Sequence, residues 1–545
     1  MDSASSQFCL RTQSMNPDPN LQASMPLLDA LRDCVSRDHA PFYTPGHKRG
    51  QATPTALAAL LGAAVFQSDL PELPELDNLF APQGAIQSAQ ELAAAAFGAE
   101  KTWFLVNGST CGIIAGILAT CNPGDRILLP RNVHQSAISG LVLSGAIPIF
   151  LEPEYDPVLD LVHSVTPESV AMALEQYPGI KAVMLVYPTY YGVCGEIAAI
   201  AQIVHSYRIP LLVDEAHGPH FAFHPDLPTP ALAAGADLVV QSTHKVLTAL
   251  TQAAMLHTQG DYIDSDRVSR ALQLVQSTSP SYLLLASLDA ARHQMVTEGR
   301  QLLSRTLELA NFARTEINQI RGLSVLAPAQ PGSPGFYALD QTRLTVTVAQ
   351  LGLTGFAADT LLHEQLGITA ELPSLQHLTF IISVGNTETD IQRLVEAFKI
   401  LSREHGQREK GQPRGDGPDR KSLSQIVNLK EGNHGGIAPT EDPNPKSKTC
   451  PERSRRIQNP KSKILLSLSP REAFFAGTET LAIADTVGRI SAELVCPYPP
   501  GIPVLLPGEV ITATGIAYLQ QVLTAGGLIS GCADSSLQTL KVVRQ

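Results

Sequence analysis

Between Thr102 and Gln241 the chain repeats one unit: a short apolar run, a polar turn, then a stretch with helical periodicity. The runs are Thr102–Val106, Arg126–Leu129, Ile147–Leu151, Ala182–Val186, Leu211–Val213 and Leu238–Gln241. Strands that alternate with helices over such a length predict an α/β architecture, a mainly parallel sheet wrapped by helices. In open sheets of this kind the chemistry collects where the strands end, so the residues just after each run are the ones to read.

The flanking regions divide the chain further. Residues 1–25 are polar and are expected to be disordered, and helical periodicity begins at Pro26–Val35. A cofactor-sized major domain is expected over 26–290 and a smaller α+β domain over 291–402, with short strands near Leu323–Leu326, Leu344–Val348 and Phe380–Val384. Residues 403–464 are rich in Gly, Pro, Lys, Arg, Ser and Asn and carry Asn-Pro-Lys-Ser-Lys twice, at 444–448 and 459–463. Such a segment buries too little apolar surface to offset its ordering entropy and reads as a disordered insertion. A C-terminal domain is expected over 465–545, with a helix start at Leu468–Glu472 and a last helix near Gly515–Thr524.

Composition excludes several classes. A net charge of −12 argues against a nucleic-acid binder, which needs clustered Lys and Arg, and the basic insertion lacks aromatic residues to stack bases. No stretch reaches the roughly 18 apolar residues that cross a bilayer, and the first residues lack a basic-then-apolar leader. The eight cysteines are scattered, with no CxxC pair and no His at metal-ligand spacing, so no metal site is expected. They read as reduced thiols of a cytoplasmic protein.

Four strand ends carry candidate chemistry. The turn Asn107-Gly108-Ser109-Thr110-Cys111-Gly112 joins a strand to a helix, where N–H groups and hydroxyls suit a phosphate or simply cap the helix. It is neither a Walker A loop nor a dinucleotide GxGxxG. His134 follows the second strand, where a flat imidazole suits stacking on a cofactor ring, although a loop His more often satisfies backbone groups. Asp214, in Val213-Asp214-Glu215-Ala216-His217, either caps the next helix or holds a pyridine nitrogen protonated, as a pyridoxal phosphate (PLP) ring requires to act as an electron sink. Lys245, in Ser242-Thr243-His244-Lys245, has the place of an imine-forming lysine, its flanking hydroxyls and His within reach of a phosphate; a lone Lys after a strand is otherwise a solvated charge.

With these segments in order, the chain resembles the PLP-dependent, fold-type I ornithine/lysine/arginine decarboxylases of prokaryotic type. The resemblance covers nearly all of 25–400 and 465–540 and rests on Thr44-Pro45-Gly46-His47-Lys48, Asn107–Cys111, Arg131–Ser136, Asp214–His217, Ser242–Lys245, Ser277–Tyr282, and Tyr498–Pro503 with Pro507-Gly508-Glu509. It implies a seven-stranded, aspartate-aminotransferase-like sheet, and PLP linked to Lys245 with Asp214 on the ring nitrogen and His134 stacked on the ring. Ser109, Thr110, Cys111, Ser242 and His244 would surround the phosphate, while Ala216 and His217 would line the ring's other side. Thr278 would reach a neighbouring subunit's cofactor, in a homodimer or larger homo-oligomer with shared active sites. Large relatives carry an N-terminal wing domain; here the cofactor domain begins almost at once, as in the shorter members, so wing-mediated decamers are not expected.

The implied reaction is decarboxylation of a basic L-amino acid, arginine before lysine or ornithine, to an amine of the polyamine type. Glu509 is the acid expected to meet the distal cation of that substrate. Cofactor residues alone do not select which Cα bond breaks. An aminotransferase or aldolase reaction is therefore the rival reading, and a homologue that has lost catalysis is another; the Thr44–Lys48 and Tyr498–Glu509 segments favour decarboxylation by resemblance.

Overall fold

The computed structural model describes residues 22–328, 332–406 and 466–544. The expected disorder of 1–21 and of most of the insertion lies outside these residues. Seven strands form the main sheet: β1 (Lys101–Leu105), β2 (Arg126–Pro130), β3 (Ile147–Leu151), β4 (Ile180–Val186), β5 (Leu211–Asp214), β6 (Leu238–Gln241) and β7 (Ala254–Thr258). Their spatial order is β1-β7-β6-β5-β4-β2-β3. The block β6-β5-β4-β2-β3 is parallel, and β7 runs antiparallel to both β1 and β6. Sequence patterning located six of these strands and missed β7. Only the short link 242–253 separates it from β6, too little for a crossover helix to carry the chain back, so it returns antiparallel.

Alternation along each strand fills two cores, one on each sheet face. Ile127 and Leu129 of β2, Ala182, Met184 and Val186 of β4, and Leu238 and Val240 of β6 pack under α1 (Gly108–Thr120) and α2 (Gln135–Ser144). Leu128, Val183, Leu185 and Val239 face the opposite core, beneath Pro167–Gln176 and Ile197–Ser206. Helix α1 lies close on the sheet because of Gly112: a Cβ there would come within 2.7 Å of both Leu105 Cδ1 and Val240 Cγ1. That approach places the N-terminus of α1 beside the end of β6.

The smaller domain is a four-stranded antiparallel sheet, ordered Ser324–Val325, Arg343–Thr347, His377–Ile381, Leu372–Pro373. The expected strand Phe380–Val384 starts three residues earlier than patterning placed it. Helix α3 (Tyr282–Asn318) runs unbroken across the anticipated boundary at 290/291: its first turns pack in the major domain and its last in the smaller one. The helix Glu388–His405, opened by a Thr387/Asp390 capping box, continues past the expected insertion start at 403. Residues 22–25 are likewise placed, with Gln22 buried against α3. In the C-terminal domain, the helix Ala513–Thr524 and two short two-stranded antiparallel sheets close over Val495, Leu505, Ile511, Leu519 and Val542. No helix among the described residues is long and apolar enough to cross a membrane, and none of their side chains form a cluster of three or more His, Cys, Asp or Glu able to hold a metal. All six described cysteines are free thiols.

Candidate active site

The carboxyl ends of β1, β2, β4, β5 and β6 converge on Lys245. The lysine lies in the short helix Thr243–Val246, directly after β6, and its Nζ is 3.0 Å from His217 Nε2. Burial pulls its pKa down from the lysine value; Asp214 and Glu371 oppose that shift and Arg343 adds to it. Asp214, the last residue of β5, is buried, and its Oδ1 accepts the Ala216 N–H at 3.1 Å. Burial raises the Asp214 pKa while the charge of Lys245 and that N–H lower it, so this carboxylate stands in need of a cationic partner.

The hydroxyl turn meets the lysine segment directly. Ser242 Oγ donates to Ser109 Oγ at 2.8 Å, which joins the start of α1 to the end of β6. Helix α1 has no side-chain cap; its Gly108 N–H donates to Gln252 O at 3.0 Å, and the N–H groups that follow in the first turn have no partner within the helix. Thr110 is exposed at the same turn. Cys111 is buried, its thiol donates to Gly108 O at 3.1 Å, and burial pushes its pKa up to about 12, so it can offer an anion only its N–H. His244 N–H donates to Ala253 O at 3.2 Å, and its ring Nδ1 lies 3.0 Å from the same oxygen.

His134 caps α2, with Nδ1 accepting the Ser136 N–H at 3.2 Å and lying 2.9 Å from Ser136 Oγ. Burial, helped by Lys245, lowers its pKa to about 4, so the ring is a neutral plane at physiological pH. The C-terminal domain closes this edge. Gln135 N–H donates to Gly501 O at 3.1 Å, and Arg131 donates to Pro503 O and Val504 O and pairs with Glu509 at 3.1 Å. The carboxylate expected to meet a substrate cation is thus engaged by an arginine of its own chain. Thr278 is exposed on a segment whose Ser277 N–H donates to Asn107 Oδ1 at 3.2 Å.

Two residues that sequence reasoning overlooked belong to the site. Tyr190 packs edge-on against His217 with ring centroids 4.8 Å apart, and Lys245 Nζ lies 5.9 Å from the centre of its ring. It follows β4, so the rule that singled out the other strand ends also reaches it. Arg343 comes from the smaller domain and carried no local signal: it opens the strand Arg343–Thr347, is fully buried, and donates through Nη2 to His217 Nδ1 at 3.0 Å and to His217 O at 3.1 Å.

The donor set fits PLP: hydroxyls and helix N–H groups for a phosphate, a buried carboxylate for a pyridinium, a neutral imidazole plane and a buried lysine with a lowered pKa. Comparison with known proteins agrees. Residues 25–343 match the Orn/Lys/Arg decarboxylase major domain and residues 458–533 the Orn/Lys/Arg decarboxylase C-terminal domain. The chain is 38% identical over 524 residues to the arginine decarboxylase of Bacillus subtilis (strain 168), covering 96% of this chain and 99% of that one. It is 26% identical over 555 residues to the constitutive lysine decarboxylase of Escherichia coli (strain K12), covering 89% and 75%. The solved structure of an E. coli constitutive lysine decarboxylase shares the fold, with a TM-score of 0.75 at 22% identity over 96% of this chain and 82% of that one.

Proposed function

The chain belongs to the Orn/Lys/Arg decarboxylase family, and from that premise we propose that it removes the α-carboxyl group of a basic L-amino acid as CO2, arginine first, with PLP carried on Lys245. The observation that carries this reading is the placement of Lys245 Nζ, 3.0 Å from His217 and within the field of Asp214, at the end of adjacent parallel strands. Arginine is favoured because the arginine decarboxylase above is similar to this chain over nearly its whole length.

When bound, PLP supplies an electron sink for the pair left on Cα as CO2 departs. The protein does the rest. Ser109, Ser242 and the N–H groups opening α1 would hold the phosphate, and Thr110 and Cys111 N–H complete that turn. Asp214 would keep the ring nitrogen protonated, His134 would cover one ring face, and Ala216 with His217 the other. Lys245 or a nearby acid would donate the proton to Cα. The Gly501–Glu509 segment, drawn against His134 and Arg131, would keep water from the reacting carbon.

Glu509 would meet the distal cation of the substrate by exchange with Arg131. Glu509→Gln tests this: KM should rise by a larger factor than kcat falls. We place the enzyme in the cytoplasm, at the entry to polyamine formation, as a homodimer in which the exposed Thr278 reaches the neighbouring copy's phosphate site. Mixing inactive Lys245→Ala and Thr278→Ala chains should restore activity if sites are shared between subunits. The overall reading is tested by incubating purified protein and PLP with arginine, lysine or ornithine. It fails if neither agmatine nor a diamine forms, or if a keto acid forms instead.

A further inference from the structure

Resting on Lys245 as the lysine that carries the cofactor, we propose that Arg343 is a positioning residue that selects the Nε2–H tautomer of His217 and thereby presents Lys245 as a neutral amine ready to condense with an aldehyde.

The geometry sets two groups against one lone pair. Arg343 Nη2 lies 3.0 Å from His217 Nδ1, and Lys245 Nζ lies 3.0 Å from His217 Nε2. A guanidinium has no acceptor, so it must donate. A neutral imidazole has one nitrogen that accepts and one that donates, so the side facing Arg343 decides the side facing Lys245. An ammonium at Lys245 would want the same lone pair, and the two cannot both have it.

Arg343 is the better placed contender. Its guanidinium stays charged across the working pH range and is held by a second bond to His217 O at 3.1 Å. Asp340 stands 3.6 Å from its Nε, and burial of that carboxylate is outweighed by His220, Arg343 and Thr342, which hold it down to about 2. The stem is confined as well: a Cβ on Gly192 would come within 2.8 Å of Arg343 Cγ. His217 Nδ1 therefore accepts, Nε2 carries the hydrogen, and the lone pair of an uncharged Nζ receives it.

The other groups facing Lys245 divide. Asp214 and Glu371 favour the ammonium; burial and the charge of Arg343 favour the amine. His134 and His244 have their pKa values lowered by burial, and Tyr190 presents its ring, so none of the three adds a counter-charge. The hydrogen-bond polarity imposed through His217 is the directional element in this balance. It supplies the free lone pair that imine formation needs without removing Asp214, which the ring nitrogen requires.

The test reads the amine in cofactor-free, full-length protein. The rate of Lys245 acetylation by acetic anhydride is followed against pH by mass spectrometry of its peptide. In the wild-type chain the midpoint should lie at least about one unit below the ordinary lysine value of roughly 10.4. Arg343→Met, which cannot donate, should raise it by about a unit, and Arg343→Gln, which donates without charge, should raise it by only the smaller part that the lost charge accounts for. In a His217→Phe background, adding Arg343→Met should raise the midpoint by no more than the loss of its charge does, the shift that Arg343→Gln shows alone. Equal midpoints in wild type and Arg343→Met overturn the inference, as does an Arg343→Gln midpoint equal to that of Arg343→Met, which would make the effect one of charge alone. Borohydride trapping of PLP separates this from the functional reading. Trapping on another lysine overturns the proposed function and the inference with it, whereas trapping on Lys245 with an unmoved midpoint overturns the inference only.

Discussion

Arg131 and Glu509, 378 residues apart in the chain, meet at 3.1 Å and tie the end of β2 to the C-terminal domain. Both side chains are largely buried, and each has further work: Arg131 donates to two carbonyls, and Glu509 Oε2 accepts the Leu506 N–H at 3.1 Å. Burial raises the Glu509 pKa and Arg131 offsets only part of that rise, so the carboxylate's charge depends on its arginine. The pair holds the Gly501–Glu509 segment down beside His134.

Arg131→Met should therefore leave a buried carboxylate without its cation, a change that costs about 3–5 kcal/mol. The expected result is a lower unfolding midpoint and faster limited proteolysis of the C-terminal domain. Arg131→Met/Glu509→Gln should recover part of that loss; a double variant as unstable as the single one would show the carbonyl bonds, not the ion pair, to be decisive.

Under the proposed function, Lys245→Ala would remove the covalent attachment of the cofactor and a candidate proton donor at Cα. Acid–base roles alone are worth roughly 10²–10⁴ in rate, so activity should fall by more than about a thousand-fold. The absorbance of PLP bound as an imine should vanish from the purified protein. A persistent band would assign the cofactor to a different lysine.

Glu215 offers a pH test independent of catalysis. It is fully buried, its oxygens accept from Ala231 N–H and Gln241 Nε2, and burial pushes its pKa up to about 8 from 4.5 despite those donors. The folded chain then keeps a proton that the unfolded chain has lost, so this residue makes stability fall as pH rises from about 4.5 to 8. Glu215→Gln removes the slope. A half-turn of the Gln241 amide, which also meets His257 Nε2 at 3.1 Å, matches the new donor to an acceptor. The variant should gain on wild type as pH rises from 5 to 8, at about 1.4 kcal/mol per unit at most, and the difference should then level off. Denaturant titrations at three pH values check this; a constant difference would refute it.

The start of the described chain is tied to α3 by another buried pair. Asp289 receives Arg292 at 2.6 Å on one oxygen and Leu27 N–H at 3.0 Å on the other, capping the helix Pro26–Ser36, which has no cap of its own. Arg292 also donates to Gln22 O and Ser24 O. Arg292→Met should destabilise the protein by about 3–5 kcal/mol by stranding the carboxylate. Asp289→Leu/Arg292→Met should be milder, measured by thermal unfolding.

Much of the site was legible because it obeys a local rule. Ser109, His134, Asp214 and Lys245 each follow an apolar run that patterning located, and the sheet carries them to one edge. Tyr190 follows the same rule at the end of β4 but lacks a titratable signal near neutrality, and it passed unread. Strand β7 was missed because its run, Ala254-Met255-Leu256-His257-Thr258, has a histidine that reads as polar. That imidazole is fully buried, between Thr102 Oγ1 at 2.7 Å and Gln241 at 3.1 Å.

The order of short apolar strands and helices determined the α/β class, and with it the edge where Lys245 and Asp214 stand, because hydrophobic periodicity and strand-end position are properties of neighbouring residues. Only the tertiary structure decided what those residues face. Arg343 lies 98 positions beyond Lys245 and Glu509 belongs to another domain, yet one reaches the lysine's imidazole and the other is claimed by Arg131. Which donor wins a lone pair, and which carboxylate is left free, depends on distances of about 3 Å. Packing of separate domains sets such distances, and the spacing of residues along the chain does not.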